Sequence, residues 1–182
     1  SGQTGDHPVV LTVSDGNGGT VNQNFTITIV AAPTVTSSGA SSMTSSGAIL
    51  NGNVTSDGGA TITERGFVYA LTSADATPTV AEASGADVTK VVVSGTTGAF
   101  TETLSALTTN SGYSFSPYAI NSLGTTQGAV QTFSTINTAP TFTSTPITTV
   151  NQGDTYTYAI TTNDADGDLS LIHISEPTRR TP

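Results

Sequence analysis

The sequence predicts an all-β fold, on the evidence of three features of its composition and patterning. Thr, Val and Ile are concentrated in short runs, and these residue types suit the pleated surface of a sheet. Most of the 19 glycines and 8 prolines fall between those runs, where turns are expected. No stretch of the chain keeps the apolar period of a helix, so we expect almost no helix.

Two copies of the tripeptide Ala-Pro-Thr divide the chain. They stand at residues 32–34 and 139–141, each after a Thr/Ile-rich run, and about one β-sandwich domain apart. A strand that reaches Ala-Pro has to stop pairing there, because proline lacks an amide donor and fixes φ. The sequence therefore predicts domain boundaries at both copies. The expected segments are 1–31, 33–136, 139–168 and a tail, 169–182.

The segment 33–136 reads as one complete domain of seven strands. The apolar runs that predict them are 34–37, 48–54, 64–70, 88–94, 99–104, 113–121 and 128–134. In the second run Leu50, Gly52 and Val54 share one face, while Ile49 and Asn51 lie on the other. Alternation of this kind, with one face buried, is typical of a two-sheet sandwich. By the same rule Glu64 and Arg65 face opposite ways, and we expect Arg65 to be solvated.

This segment resembles a bacterial fibronectin type III-like module over nearly its whole length. The residues that carry the resemblance are Ala48–Val54, Glu64–Tyr69, Leu104, Leu107, Tyr113 and Tyr118–Gly124. The resemblance implies an Ig-like β-sandwich with incomplete β-sandwich fragments on either side. It also implies a tyrosine corner, in which the Tyr113 hydroxyl bonds to the backbone near Leu107.

The two flanking segments have different strand patterns. Residues 9–13 and 25–30 predict two strands joined by the Gly-rich turn 15–19, which is a strong hairpin signal. In the second flank we expect strands at 147–150 and 156–162, a turn at 151–154, and then the acidic run 163–168. The first flank is predicted to be the end of one domain and the second the start of another.

Both flanks resemble cadherin-like and Ig-like repeats of bacterial surface proteins. In cadherin-type families an Asp-x-Asp pair after the second strand and an Asp at the start of the last hairpin hold calcium at a domain junction. The matching positions here are Asp164, Asp166 and Asp15. The resemblance thus implies calcium in the full-length protein, because calcium takes six to eight oxygen ligands. These aspartates belong to two different repeats, so the site is incomplete within this chain, and an Asp/Gly turn with solvated carboxylates is the alternative.

Charge and composition narrow the function. The net charge of −9, with only four basic residues, disfavours nucleic acid and anionic membranes as partners. Cysteine is absent, which removes disulfides and thiolate chemistry. No catalytic constellation, membrane span or Arg-Gly-Asp tripeptide stands out, and we expect no enzyme activity and no other cofactor.

The tail differs sharply in composition from the rest of the chain. The tail holds two of the four basic residues of the chain. Its run from Leu169 to Arg179 looks like the translation of an adapter used in preparing DNA libraries for sequencing. The alternative is a strand at 169–174 followed by a basic tail. In the first case His173, Arg179 and Arg180 carry no function.

These features together favour a non-catalytic structural or adhesion region of a large secreted or cell-surface bacterial protein. Such a region would act as a spacer or contact an unknown protein or glycan, as a monomeric segment of a longer chain. Two alternatives remain open. One is an accessory region of a secreted polysaccharide-degrading enzyme, and the other is a carbohydrate-binding module, for which 6% aromatic residues and no Trp give little support.

Overall fold

The computed structural model describes residues 4–167 and confirms the all-β fold. The chain divides into two compact units, one that reaches Ile136 and one that begins at Asn137. Within residues 4–167 the one helix is a short 3-10 turn, Val80–Ser84. In this part of the chain no helix is long and apolar enough to span a membrane. Asp168, at the end of the acidic run, and the tail after it lie outside the described residues.

The first unit begins with the predicted hairpin. Its strands are β1 (Gly5–Ser14) and β2 (Thr20–Ile29), paired antiparallel from Gly5 opposite Ile29 to Ser14 opposite Thr20. This register places the apolar side chains on one face of the ribbon and most of the Thr and Asn side chains on the other. The apolar face is exposed at Leu11, Val13, Val21, Phe25, Ile27 and Ile29. The hairpin therefore has a hydrophobic face with no layer packed on it among the described residues.

The rest of the first unit is a two-sheet β-sandwich. Its strands are β3 (Thr34–Ser41), β4 (Ala48–Ser56), β5 (Glu64–Leu71), β6 (Thr89–Val92), β7 (Gly98–Leu104), β8 (Gly112–Asn121), β9 (Gly124–Gln127) and β10 (Gln131–Ser134). One sheet has the order β3-β4-β7. The other has the order β10-β8-β5-β6, and β9 also pairs with β8. All of the pairings are antiparallel, and the strands lie close to the predicted apolar runs except at the last run, 128–134.

The core lies between the two sheets and is built largely from aromatic rings. The centroid of the Phe67 ring on β5 lies 4.8 Å from that of Phe100 on β7 and 6.2 Å from that of Phe115 on β8, with the rings tilted in both pairs. The predicted alternation in β4 is confirmed, since Leu50, Gly52 and Val54 are buried there. A Cβ atom at Gly52 would stand only 2.7 Å from the Pro117 Cβ, so close sheet packing requires glycine at this position.

The sequence did not predict a second hydrophobic cluster on the outer face of the five-stranded sheet, the one that contains β5 and β8. It consists of Val68, Ala70, Val88 and Tyr118, with Val80, Ala83 and Ile120 packed against it. The 3-10 turn and the segment after it supply Val80, Ala83 and Val88. The connection between β5 and β6 therefore covers part of the outer face of the sheet. The central strand β8 is consequently buried on both faces, and Ser114 and Ser116 are fully buried in it.

The last predicted strand of the sandwich, 128–134, is wrong in its extent. The chain forms two short strands, β9 and β10, which pair with opposite halves of β8. They are separated next to Pro117, which has no N–H to donate to a neighbouring carbonyl. The Ser116 hydroxyl donates to the Gly128 carbonyl instead, at 2.7 Å, and the Gly128 N–H donates to the Pro117 carbonyl at 2.8 Å.

The predicted tyrosine corner is confirmed. Tyr113 is 5% exposed and its ring stacks on Phe133, with 5.4 Å between the centroids. Its hydroxyl accepts a hydrogen bond from the Thr108 N–H at 2.9 Å, one residue after the buried Leu107. The ring and the hydroxyl together fix the connection between β7 and β8.

The second unit contains less sheet than the sequence predicted. Its strands are β11 (Thr141–Phe142) and β12 (Thr162–Asn163), which pair antiparallel. The turn at 151–154 is present, and the Asp154 N–H donates to the Asn151 carbonyl at 3.2 Å. The predicted strands at 147–150 and 156–162 are wrong, apart from Thr162. Among the described residues no neighbouring strand offers these segments a hydrogen-bonding edge, and a strand is stable only in a ladder.

Candidate functional site

Arg65 occupies the inner face of the sandwich at one end of the core, and our expectation that it is solvated is wrong. It is 8% exposed, and its guanidinium lies 4.7 Å from the centroid of the Phe100 ring. The loop between β6 and β7 turns its carbonyls toward the guanidinium. Ser94 O accepts from Nη2 at 2.7 Å and from Nε at 3.1 Å, and Thr96 O accepts from Nη1 at 2.8 Å.

This arrangement explains why the loop that surrounds the guanidinium has glycine at position 95. A Cβ atom at Gly95 would collide with Nη2 of Arg65, and Gly95 also has a φ of 112°. Burial lowers the pKa of Arg65, but an arginine stays charged even so. The charge is satisfied by main-chain carbonyls and an aromatic face, so Arg65 stabilises the fold and offers no free group to a ligand.

A second polar group lies on the outer face of the same sheet. Glu64 Oε1 accepts from the Tyr118 hydroxyl at 2.8 Å and pairs with Lys90 Nζ at 3.1 Å. The bond from Tyr118 and the bond from Lys90 hold the pKa of Glu64 below its ordinary value. Burial and the nearby carboxylate raise the pKa of Tyr118. Because the folded-state pKa of Glu64 is lowered, its stabilising effect is lost as the pH falls through that value.

The first Ala-Pro junction is held by hydrogen bonds to the sandwich. The Ala31 N–H donates to the Gly58 carbonyl at 2.8 Å, and the Ala31 carbonyl accepts from the Asn121 side-chain amide at 2.7 Å. The same amide donates to Asp57 O at 2.8 Å, and Asn121 is 4% exposed. A Cβ atom at Gly58 would collide with the Ala31 carbonyl. The hairpin is therefore attached to the sandwich through a fixed contact.

Asp15, the first of the three predicted calcium ligands, organises the hairpin turn. Its Oδ1 accepts from the Asn17 N–H at 2.8 Å and from the Gly19 N–H at 2.9 Å, and its own N–H donates to the Gly19 carbonyl at 3.1 Å. A carboxylate that satisfies the amides of a tight turn is an ordinary structural use of aspartate. Asp15 belongs to the first unit, whereas Asp164 and Asp166 belong to the second.

Asp164 and Asp166 form a partly buried carboxylate pair in the second unit. Asp164 Oδ1 accepts from the Asp166 N–H at 3.1 Å, and Asp166 Oδ2 accepts from the Thr138 N–H at 2.6 Å. The remaining oxygens, Asp164 Oδ2 and Asp166 Oδ1, are buried and have no hydrogen-bond partner among the described residues. An unsatisfied buried carboxylate oxygen is costly, and a bound cation would remove that cost.

The donor set fits a hard cation in its chemistry. Both groups are carboxylates, and calcium binds carboxylate, carbonyl and water oxygens. Across residues 4–167 no group of three or more His, Asp or Glu side chains is arranged to hold a metal ion. A cation at the pair would therefore need main-chain carbonyls and water to complete its shell. The resemblance to cadherin-type repeats drew attention to this pair, but the buried state of its two unpartnered oxygens became visible only in the structure.

No protein-family model and no curated protein matches the sequence. Among solved structures, a short form of the sensor domain of the anti-sigma factor RsgI4 from Pseudobacteroides cellulosolvens is similar. It shows 17% identity and a TM-score of 0.42, over 59% of this chain and 97% of that chain. A long form of the same domain shows 16% identity and a TM-score of 0.41, over 65% of this chain and 99% of that chain.

A multidomain segment of titin is also similar, with 17% identity and a TM-score of 0.37. The alignment covers 63% of this chain and 37% of that segment. Likenesses at these TM-scores carry no inference about what this chain does, so its function has to be argued from its own residues.

Proposed function

We propose that this chain is part of the non-catalytic structural repeats of a large secreted or cell-surface bacterial protein, with residues 33–136 as one fibronectin type III-like module. The observation that carries the proposal is a complete sandwich joined to a further β-hairpin through a fixed contact. The sandwich closes its own core between a three-stranded and a five-stranded sheet, and a tyrosine corner fixes the connection between β7 and β8.

The use of polar side chains supports a structural role. The buried polar groups of the sandwich are engaged by the fold itself. Arg65 binds loop carbonyls, Tyr118 binds Glu64, and Asn121 binds the junction. Groups that are fully occupied in this way stabilise a module, whereas catalytic groups have to remain available to a substrate.

The apolar face of the hairpin supports the assignment of residues 1–31 to a different module. A two-stranded ribbon is marginal by itself, and its hydrophobic face needs a second layer. The exposed fractions of Leu11, Val21 and Phe25 are 53%, 66% and 44%. We assign this ribbon as the closing hairpin of a preceding sandwich whose other strands would cover that face.

We further propose that the carboxylate pair of Asp164 and Asp166 binds calcium. The proposal rests on the two buried oxygens that have no partner among the described residues. The second unit would then be the opening part of a calcium-binding repeat of an extracellular protein. Extracellular calcium modules bind with dissociation constants of about 0.1–1 mM, which is the range to examine.

A calcium titration followed by NMR tests this site. Millimolar calcium should shift the amide signals of Asp166 and Thr138, because these two amides donate hydrogen bonds to the carboxylates of the pair. The shifts should vanish in Asp164→Asn. They should persist in Asp15→Asn, which alters a turn carboxylate of the first unit. No shift at millimolar calcium, or the same shifts in Asp164→Asn, would show that the pair does not bind calcium.

Single-molecule stretching tests the structural role itself. A chain pulled from its ends should show one main unfolding event, from the strands between Thr34 and Ser134. The gain in length should be on the order of 300 Å, because an extended residue spans at most ~3.6 Å. Gradual extension without such an event would contradict the spacer role. Selective binding of the chain on a glycan array would instead favour the carbohydrate-binding alternative.

A further inference from the structure

The chain contains two Asn-Gly pairs, Asn17-Gly18 and Asn51-Gly52, in opposite structural settings. In such a pair the main-chain nitrogen of the glycine can attack the side-chain amide of the asparagine, because glycine has no Cβ to obstruct the approach. We infer that Asn17 is a site of spontaneous deamidation and that the sandwich protects Asn51 from the same reaction.

The nucleophile that would attack the Asn17 side chain, the main-chain nitrogen of Gly18, is available. Asn17 lies at the exposed tip of the hairpin turn. Within residues 4–167 the Gly18 N–H donates no hydrogen bond, and the Asn17 side-chain amide has no partner either. Gly18 has a φ of 95°, and a Cβ placed on it would meet nothing within 4 Å. The attacking nitrogen and the side-chain amide that it would attack are therefore not held by hydrogen bonds of the described fold.

Asn51 is held in the middle of a sheet. It lies in β4, between β3 and β7, opposite Ser38 on one side and Thr101 on the other. Its side-chain amide donates to the Gly39 carbonyl at 2.7 Å and to the Ser41 hydroxyl at 3.1 Å. Gly52 is buried against Pro117. The attack at Asn51 requires the strand to leave the sheet.

The reaction proceeds in two balanced steps. The Gly18 nitrogen forms a bond to Cγ of Asn17, loses its proton, and expels the amide nitrogen as ammonia, which leaves a five-membered succinimide. Water then opens the ring at either carbonyl and yields aspartate or isoaspartate. No oxidant, reductant or enzyme takes part. Both products add one negative charge next to Asp15.

The products alter the turn that Asp15 organises. In isoaspartate the main chain runs through the former side chain, so the segment between residues 17 and 18 becomes longer by one methylene. The hydrogen bond from the Gly19 N–H to Asp15 Oδ1 spans this longer segment and therefore depends on the original spacing. The modification therefore loosens the closed end of the hairpin, while it leaves the sandwich unchanged.

Ageing of the whole chain tests this inference. The protein is incubated in mildly alkaline buffer, and mass-spectrometric fragmentation then locates the conversion of amide to acid. Asn51 reacts only from the opened fraction, so conversion at Asn17 should be at least about a hundredfold faster. Labelling by an isoaspartyl methyltransferase should also appear at residue 17. Equal rates at the two positions, or an intact Asn17, would overturn the inference.

Two controls show whether the fold or the local sequence causes the difference in deamidation rate between Asn17 and Asn51. In concentrated denaturant both asparagines should convert at similar rates, because each is followed by glycine. A persistent excess at Asn17 in denaturant would show that the fold does not cause the difference. Asn17→Gln should abolish the conversion at this position, because glutamine would have to form a less favoured six-membered ring.

Discussion

Replacement of Phe67 by alanine should lower the free energy of unfolding of the sandwich by about 3–5 kcal/mol. Phe67 is fully buried, and its ring contacts Phe100 from the facing sheet and Phe115 from the neighbouring strand. The substitution removes the ring that joins the two sheets and leaves a cavity at the centre of the core. Since domains are stable by only about 5–15 kcal/mol, this loss would remove a large fraction of the stability of the sandwich.

Chemical denaturation measured by circular dichroism checks this expectation. The matched control is Phe142→Ala in the second unit, where the side chain is 74% exposed. That change removes the same atoms from a position with little buried area, so the denaturation midpoint should not move. Equal effects of the two substitutions would mean that the aromatic cluster does not hold the sheets together.

Replacement of Arg65 by alanine should cost about 2–4 kcal/mol, because the carbonyls of Ser94 and Thr96 would lose charged donors while they remain partly buried. The contact with the Phe100 ring would be lost as well. Arg65→Lys should recover only part of the loss, since an ammonium group cannot reproduce the planar set of donors. Denaturant titrations of the three proteins measure both changes.

Lys90→Ala provides the comparison for Arg65, because Lys90 forms the salt bridge of the adjacent strand and its side chain is 35% exposed. An exposed ion pair contributes about 0.2–1 kcal/mol, so this substitution should have a small effect. If Arg65→Ala costs no more than Lys90→Ala, the guanidinium is not the structural element described above.

The features that could be predicted from the sequence are those with a local signal. The alternation Leu50, Gly52, Val54 located a strand with one buried face, and the turn at 15–19 located the hairpin. The Leu107 and Tyr113 pair located the tyrosine corner. In each case the residues that carry the signal are neighbours in sequence or are separated by one short loop, so no long-range contact had to be known.

The features that could not be predicted from the sequence depend on contacts between residues far apart in the chain. Arg65 looked like a surface residue because it follows Glu64 in an alternating strand. Its partners, the carbonyls around Ser94, are supplied by a loop almost thirty residues away. The cover over the outer face is a connection whose apolar residues are too sparse to signal burial. Tyr118 likewise lies in a buried cluster to which that connection contributes Val80, Ala83 and Val88.

In the second unit the sequence predicted strands that the structure does not contain. Apolar runs at 147–150 and 156–162 have strand composition, but the structure gives them no ladder, and Ile147 and Tyr156 are about half exposed. Composition predicts a preference for the sheet, whereas pairing requires a partner edge. The calcium role of the carboxylate pair that follows these runs stays a prediction, and its two buried oxygens became apparent only in the structure.

The central claim is that one complete sandwich carries the stability of this chain, between two incomplete modules. Hydrogen exchange of the full chain measures this directly, because protection reports the free energy of local opening. We expect slow exchange confined to the strands between Thr34 and Ser134, with fast exchange in the hairpin β1–β2 and in residues 141–163. Strong protection of the hairpin or of residues 141–163, equal to that of β4 and β8, would contradict the claim.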